Sequence, residues 1–168
     1  MKLFVLGIVV TLVVLAAAGY LFVKTGGISM DTTGPPLPLE KTVAGMALRA
    51  SMGHAADLKN PLPFTDDTML AGARKYKQNC AVCHGVPGQL PTAIAKGIFP
   101  DPPQLFEKNG MMTEDPEGET FWKLTHGIRL SGMPGFQNAL SDTERWQLTT
   151  LVAHADKLSP TVMAELGH

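Results

Sequence analysis

The sequence predicts an all-α protein: one small helical domain preceded by one transmembrane helix. Three observations carry this. Residues Leu3 to Val23 run without a charge. Beyond them, apolar residues recur at helical spacing between recognisable caps, and no useful stretch alternates with the period of two that a strand requires. The 168 residues allow one compact domain with something attached, and aromatic residues make up only 7% of them. A core built from side chains alone is therefore thin in large rings.

The anchor comes first, as residues 1–24. The uncharged run, as a helix, spans roughly 31 Å, about the hydrocarbon thickness of a bilayer. Lys2 precedes it and Lys24 follows it. A secretory signal is the competing reading, because Ala16-Ala17-Ala18 offers small residues for cleavage. The apolar run continues past them through Tyr20, Leu21, Phe22 and Val23, which favours a retained helix. Both readings send the remainder out of the cytoplasm.

Residues 25–65 read as a tether. Gly26-Gly27, Gly34-Pro35-Pro36, Pro38, Pro61 and Pro63 punctuate it, with one short helix from Leu39 to Ala55 between them, to be docked on the main domain or laid on the membrane. A flexible linker of about forty residues has an r.m.s. reach of roughly 35 Å. The main domain follows as residues 66–160. Its first helix is expected from Thr68 to Asn79, with Asp66 and Asp67 where the N-terminal dipole favours them. Pro87 to Lys108 holds five prolines and is expected to be irregular. A second helix runs from Pro116 to His126 and closes at Gly127. A third runs from Ser141 to Leu158, opened by a capping box of Ser141 with Glu144 and stopped by Pro160. Residues 161–168 remain as a tail.

Charge excludes one class of function. The formal net charge is -1 and no block of Lys or Arg occurs, so no nucleic-acid footprint is present. The nucleotide motifs G-x-x-x-x-G-K-[ST] and G-x-G-x-x-G and the zinc-protease motif H-E-x-x-H are also missing. From Phe64 onward nine Lys/Arg face twelve Asp/Glu. The acidic run Glu114, Asp115, Glu117, Glu119 and the basic run Arg74, Lys75, Lys77 read as solvated faces and name no partner.

The chemistry lies in Cys80-Ala81-Val82-Cys83-His84, the C-x-x-C-H signature of c-type haem attachment. Each thiol adds to one haem vinyl group, and one helical turn between the cysteines spans the distance between the vinyls. His84 then stands under the iron as proximal ligand. At this composition chance gives the pattern in roughly one chain in three thousand. A thioredoxin-type dithiol needs a βαβ setting, and a zinc site needs two more ligands at ordered spacing. A disulfide across two residues would be strained. None of the three fits as well as one covalent haem c.

The sixth iron position takes a methionine or a histidine. Met133 is the best candidate, in Ser131-Gly132-Met133-Pro134-Gly135, a loop rigid enough to aim a thioether and small enough to pass close to a porphyrin face. Met111 and Met112 are the reserve. His126 and His154 are lesser rivals, read first as residues that meet helix carbonyls and dipole. His54 and His168 read as surface histidines.

Together with Gly132-Met133-Pro134 and a tryptophan-bearing last helix, the attachment motif resembles the class I monohaem cytochromes c, over roughly Leu70 to Leu158. The membrane-tethered bacterial periplasmic type is the nearer likeness. The resemblance implies a small all-α fold around one haem. It implies that the proximal histidine gives its Nδ1 proton to a carbonyl at a Pro-x-Leu turn, which points to Pro103 in Pro103-Gln104-Leu105. It also implies that the first and last helices cross, at Gly72, Ala73 and Tyr76 against Trp146 and Leu151. Trp122 resembles a ring that packs on the haem or reaches a propionate, and a core tryptophan explains it equally well.

His/Met ligation fills both axial positions, so the expected function is to carry one electron, not to act as an enzyme. The soft thioether favours Fe(II) and raises the potential. The expected partners are redox proteins or a membrane respiratory complex, with the single-pass helix in the bacterial inner membrane and the haem domain on the periplasmic side. Two alternatives stand beside this. One is a five-coordinate or labile-ligand haem protein that binds small gases. The other is a fixed haem subunit of a larger respiratory complex.

Overall fold

The computed structural model describes residues 1–110 and 112–167. All regular structure among them is helical, as expected: eight α-helices and one short 3-10 turn. The chain divides into two units, residues 1–40 and 41–168.

In the first unit, helix α1 (Lys2–Lys24) is 23 residues long, and none of its side chains is buried. It is long and apolar enough to cross a membrane, a test that a signal sequence also meets. The Thr25 N–H closes the last turn on the Leu21 carbonyl at 2.9 Å. Gly26, at φ 83°, then turns the chain out through the left-handed conformation that glycine favours.

The second unit is built on α3 (Asp66–Asn79) and α7 (Asp142–Ala153), which pack against each other. Thr65 caps α3 by accepting from the Thr68 N–H at 3.3 Å, and Asp66 and Asp67 fall in the first turn. Ser141 and Glu144 form the expected capping box on α7. Lys75 and Ser141 hold the Glu144 carboxyl down to about 2. Its contribution to stability is therefore present above the ordinary carboxylate range and is lost as pH falls towards 2.

The crossing needs Gly72. A Cβ there would lie 2.4 Å from the Gln147 carbonyl oxygen and 3.3 Å from Leu151 Cβ. Gly72→Ala is expected to force the helices apart at a cost of about 2 kcal/mol, the scale of overpacking in a tight core. Denaturant unfolding should show a lower midpoint at unchanged slope, and an unchanged midpoint would show that the crossing has slack. Beside Gly72, Ala73 and Tyr76 are fully buried, and so are Leu148, Leu151 and Thr149 on α7. Trp146 stacks on Phe121 of α6 (Glu117–His126) at 4.0 Å, carrying the core across to that helix.

Three expectations need correction. Helix α7 ends at Ala153, five residues before Leu158. His154 leaves helical geometry there, and its ring packs on Phe64 at 4.3 Å and pairs with Glu117 at 3.2 Å. Pro160 stops nothing. It opens α8 (Pro160–Gly167), with the Ser159 hydroxyl accepting from the Val162 N–H at 3.4 Å. Where a tail was expected, Val162 and Leu166 enter the core, and Lys77 of α3 donates to the Glu165 carbonyl at 2.8 Å. His168 lies outside the described residues.

The third correction concerns the boundary at Asp66: of the two positions left open for the tether's helix region, the docked one is found, and the later part of the tether belongs to the second unit. Helix α2 (Glu40–Met52) keeps most of its side chains exposed, but Met52 and Ala55 are buried. The 3-10 turn Ala55–Asp57 lies on Gly118 of α6, so close that a Cβ at Gly118 would meet the Ala55 carbonyl oxygen at 2.0 Å. Farther on, Asn60 donates to the Thr150 hydroxyl of α7 at 2.9 Å. The proline-rich stretch also holds one short turn, α5 (Ala93–Lys96), capped by Thr92.

Candidate functional site

The end of α3 runs straight into the attachment motif. Cys80 closes α3 with its N–H on the Tyr76 carbonyl at 2.8 Å and opens the four-residue α4 (Ala81–His84). The Cys83 and His84 N–H groups both return to the Cys80 carbonyl, at 3.0 and 2.9 Å. This single turn sets the two thiols three residues apart on one helix, with the imidazole next in line. Gly85, at φ 70°, lets the chain leave, and its carbonyl accepts from the buried Tyr76 hydroxyl at 2.8 Å.

Both cysteines are free thiols. Burial, reinforced by the nearby Cys83, pushes the Cys80 thiol up to about 12. Burial also raises the Tyr76 phenol above its ordinary range. His84 is half-buried, and its Nδ1 lies 2.8 Å from the Pro103 carbonyl oxygen. Burial pushes its imidazole down, and the bond to Pro103 opposes this in part. The neutral ring that results carries its proton on Nδ1, against the Pro103 carbonyl, and leaves the Nε2 lone pair available as a donor. The structure thus brings His84 and Pro103 together.

Met133 is held from several sides. Its carbonyl accepts from the Ile128 N–H at 3.1 Å, and its N–H donates to the Ser131 hydroxyl at 3.2 Å. The Ser131 hydroxyl in turn donates to the Ile128 carbonyl at 2.7 Å. Phe136 and Gln137 continue the tie to α6 through the Leu124 and Thr125 carbonyls. Glycines allow this approach: a Cβ on Gly127 would meet the Gly135 nitrogen at 2.5 Å, and one on Gly135 the His126 carbonyl carbon at 2.7 Å. The Met133 side chain is half-buried and packs on the same apolar cluster that contains Cys80.

The other candidates fall out differently. His126 is exposed, directs its Nδ1 to the Trp122 carbonyl at 3.0 Å and stacks on the Trp122 ring at 4.5 Å. His154 is taken up by Glu117 and Phe64, and His54 by Asp57 at 3.3 Å on the surface. Met112 packs at the margin of the cluster, as Met133 does. Met111 lies outside the described residues.

The residues fit a covalently held haem. Two free thiols one turn apart and an imidazole with Nδ1 engaged are the groups that could hold it, and the thioether of the pinned Met133 loop could serve as a further donor. Val86, Phe106, Met112, Met133 and Phe136 line the margin of the buried cluster and are only partly covered, as the lining of an apolar group would be. Among the described residues no three His, Cys, Asp or Glu side chains gather, so no tetrahedral zinc shell is built. Sequence reasoning missed Gln104, inside the Pro-x-Leu turn, and Ser131, under the Met133 loop. Neither residue type carries a motif, and only the fold brings them to the site.

A family model described as Cytochrome C oxidase, cbb3-type, subunit III matches residues 67–152. No curated protein matches the chain.

Proposed function

We propose, on the premise that this chain belongs to the Cytochrome C oxidase, cbb3-type, subunit III family, that it carries electrons singly on one c-type haem held by His84 and Met133 at a membrane surface. Haem supplies the iron couple that accepts one electron and gives it up again. The chain's own residues fix the conditions. Cys80 and Cys83 would provide the two covalent attachments, and Pro103 holds the His84 proton on Nδ1, which would leave Nε2 as the donor for the iron. The Met133 thioether favours the reduced state. His84 and Met133 would together hold the iron, and a group held from both sides by the chain would leave no place on the metal for a substrate. The observation that carries this reading is the pair of free thiols one turn apart, followed directly by an imidazole whose Nδ1 is already engaged.

Helix α1 is read as a retained span in the bacterial inner membrane, with the haem domain on the periplasmic side. Export is where haem is joined to cysteines in bacteria, whereas Lys2 and Lys24 flank the span equally and do not discriminate. With residues 41–65 belonging to the second unit, at most residues 25–40, which cluster with α1, are left to act as a linker. The r.m.s. reach of a flexible chain of that length is roughly 20 Å. The domain then works at high effective concentration towards partners in the same membrane. The family description favours a second reading, in which the chain is a fixed haem subunit of a terminal oxidase.

Native membranes should keep the full-length chain through a carbonate wash and show a low-spin spectrum with a single one-electron redox transition. A high-spin spectrum that shifts with CO would replace the carrier by a gas-binding protein. An intact mass that begins at Gly19 would replace the anchor by a cleaved signal. Co-purification with an oxidase in mild detergent would select the fixed subunit over the mobile carrier.

A further inference from the structure

Resting on His84 as the proximal ligand, we infer that Gln104 is a positioning residue for that ligand, keeping the ring and its Pro103 acceptor in register. Helix α4 is one turn long, so its last carbonyls have no partner within it. Two of them are met from the Pro-x-Leu turn. The Leu105 N–H donates to the His84 carbonyl at 3.2 Å, and Gln104 Nε2 donates to the Cys83 carbonyl at 3.1 Å. The same Nε2 donates to the Pro102 carbonyl at 3.2 Å.

The covalent chain gives these bonds their meaning. The Cys83 carbonyl belongs to the peptide group that enters His84. The Pro103 carbonyl belongs to the peptide group that enters Gln104. One carboxamide therefore ties the backbone of the hydrogen-bond donor to the backbone of its acceptor. Gln104 is itself seated firmly, because Gly110 passes so near that a Cβ would lie 2.1 Å from the Gln104 carbonyl oxygen. Gln104 Oε1 packs over Gly85, where a Cβ would meet it at 2.4 Å.

Packing alone does not account for a glutamine here. Oε1 is buried and has no hydrogen-bond partner among the described residues. An apolar side chain of the same size would avoid that cost. What an apolar side chain lacks is the N–H donor that holds the Cys83 carbonyl. The bond from Nδ1 sets how basic the ligand is, and ligand basicity is one of the protein's levers on haem potential.

The test uses the full chain in detergent micelles, reduced so that the haem is diamagnetic, with Gln104→Met and Gln104→Glu beside the parent. Methionine keeps the volume and removes the donor, whereas a carboxylate keeps the shape and presents only acceptors. In either variant the His84 Nδ1 proton should exchange with solvent at least tenfold faster, and the potential should rise as the imidazole becomes a weaker donor. Lower thermal stability with exchange and potential unchanged would overturn the inference, because packing would then be the residue's only role. Loss of haem from both variants with helix content intact would overturn it too, by moving Gln104 from orientation to attachment. A parent that shows no protected Nδ1 proton would instead remove the reading of His84 on which the inference rests.

Discussion

Met133→Ala is expected to lower the reduction potential by on the order of a tenth of a volt or more, within the span of roughly 0.8 V that axial ligands command. The loop should stay in place, since its bonds to Ser131 and Ile128 are made by backbone atoms of Met133. The substitution therefore leaves a vacancy for water, a stray histidine or an external ligand to fill. The soft donor that favoured Fe(II) is gone, so the oxidised state gains. CO should bind the reduced variant and hardly at all the parent. Met133→His should keep the iron low-spin at a lower potential, which separates ligand identity from vacancy. If Met133 only packs, its loss costs stability and leaves spectrum and potential alone. If Met112→Ala or Met111→Ala is the variant that changes them, the ligand lies in that loop. A change confined to His126→Ala would make the protein a bis-histidine cytochrome.

The double variant Cys80→Ala, Cys83→Ala is expected to abolish covalent haem. Denaturing gels stained for haem peroxidase should show a band at the mass of the parent and none for the variant. The effect on the fold should also be large. Cys80 sits in the buried cluster with Tyr76 and Leu105, and the margin of that cluster, only partly covered by the chain itself, would be covered by a bound haem. Cavities of that kind cost several kcal/mol where the site cannot collapse. A stained band persisting in the double variant would end the covalent reading.

What could be read from the chain and what could not divide along a physical line. The attachment motif, the Pro-x-Leu turn and the capping box of α7 are local devices, complete within a few residues, and each is found where it was expected. Pro160 misled because proline both ends helices and begins them, and the hydroxyl of Ser159 decides between the two. Val162 and Leu166, four apart, carried the pattern of a buried face, but eight residues are too few for periodicity to speak clearly. The docking of residues 41–65 stayed one of two alternatives in the sequence because it depends on Gly118 and Thr150, some sixty to ninety positions away. Gln104 was hidden for the same reason: its role exists only once the turn lies against α4.

The packing of α3 sets an order of events in the making of the protein. Its buried face is covered by α7 and α8, which arrive about seventy to ninety residues later in the chain. A chain delivered amino end first therefore presents the two thiols at the end of an uncovered helix throughout most of its emergence. Contacts of such long sequence separation close slowly. For the covalent haem proposed above, that interval would leave open to attachment two thiols that the finished core buries or half-buries. Loss of α8, such as a stop codon after Lys157 would bring, should lengthen that interval while weakening the product, so maturation and durability would move in opposite directions.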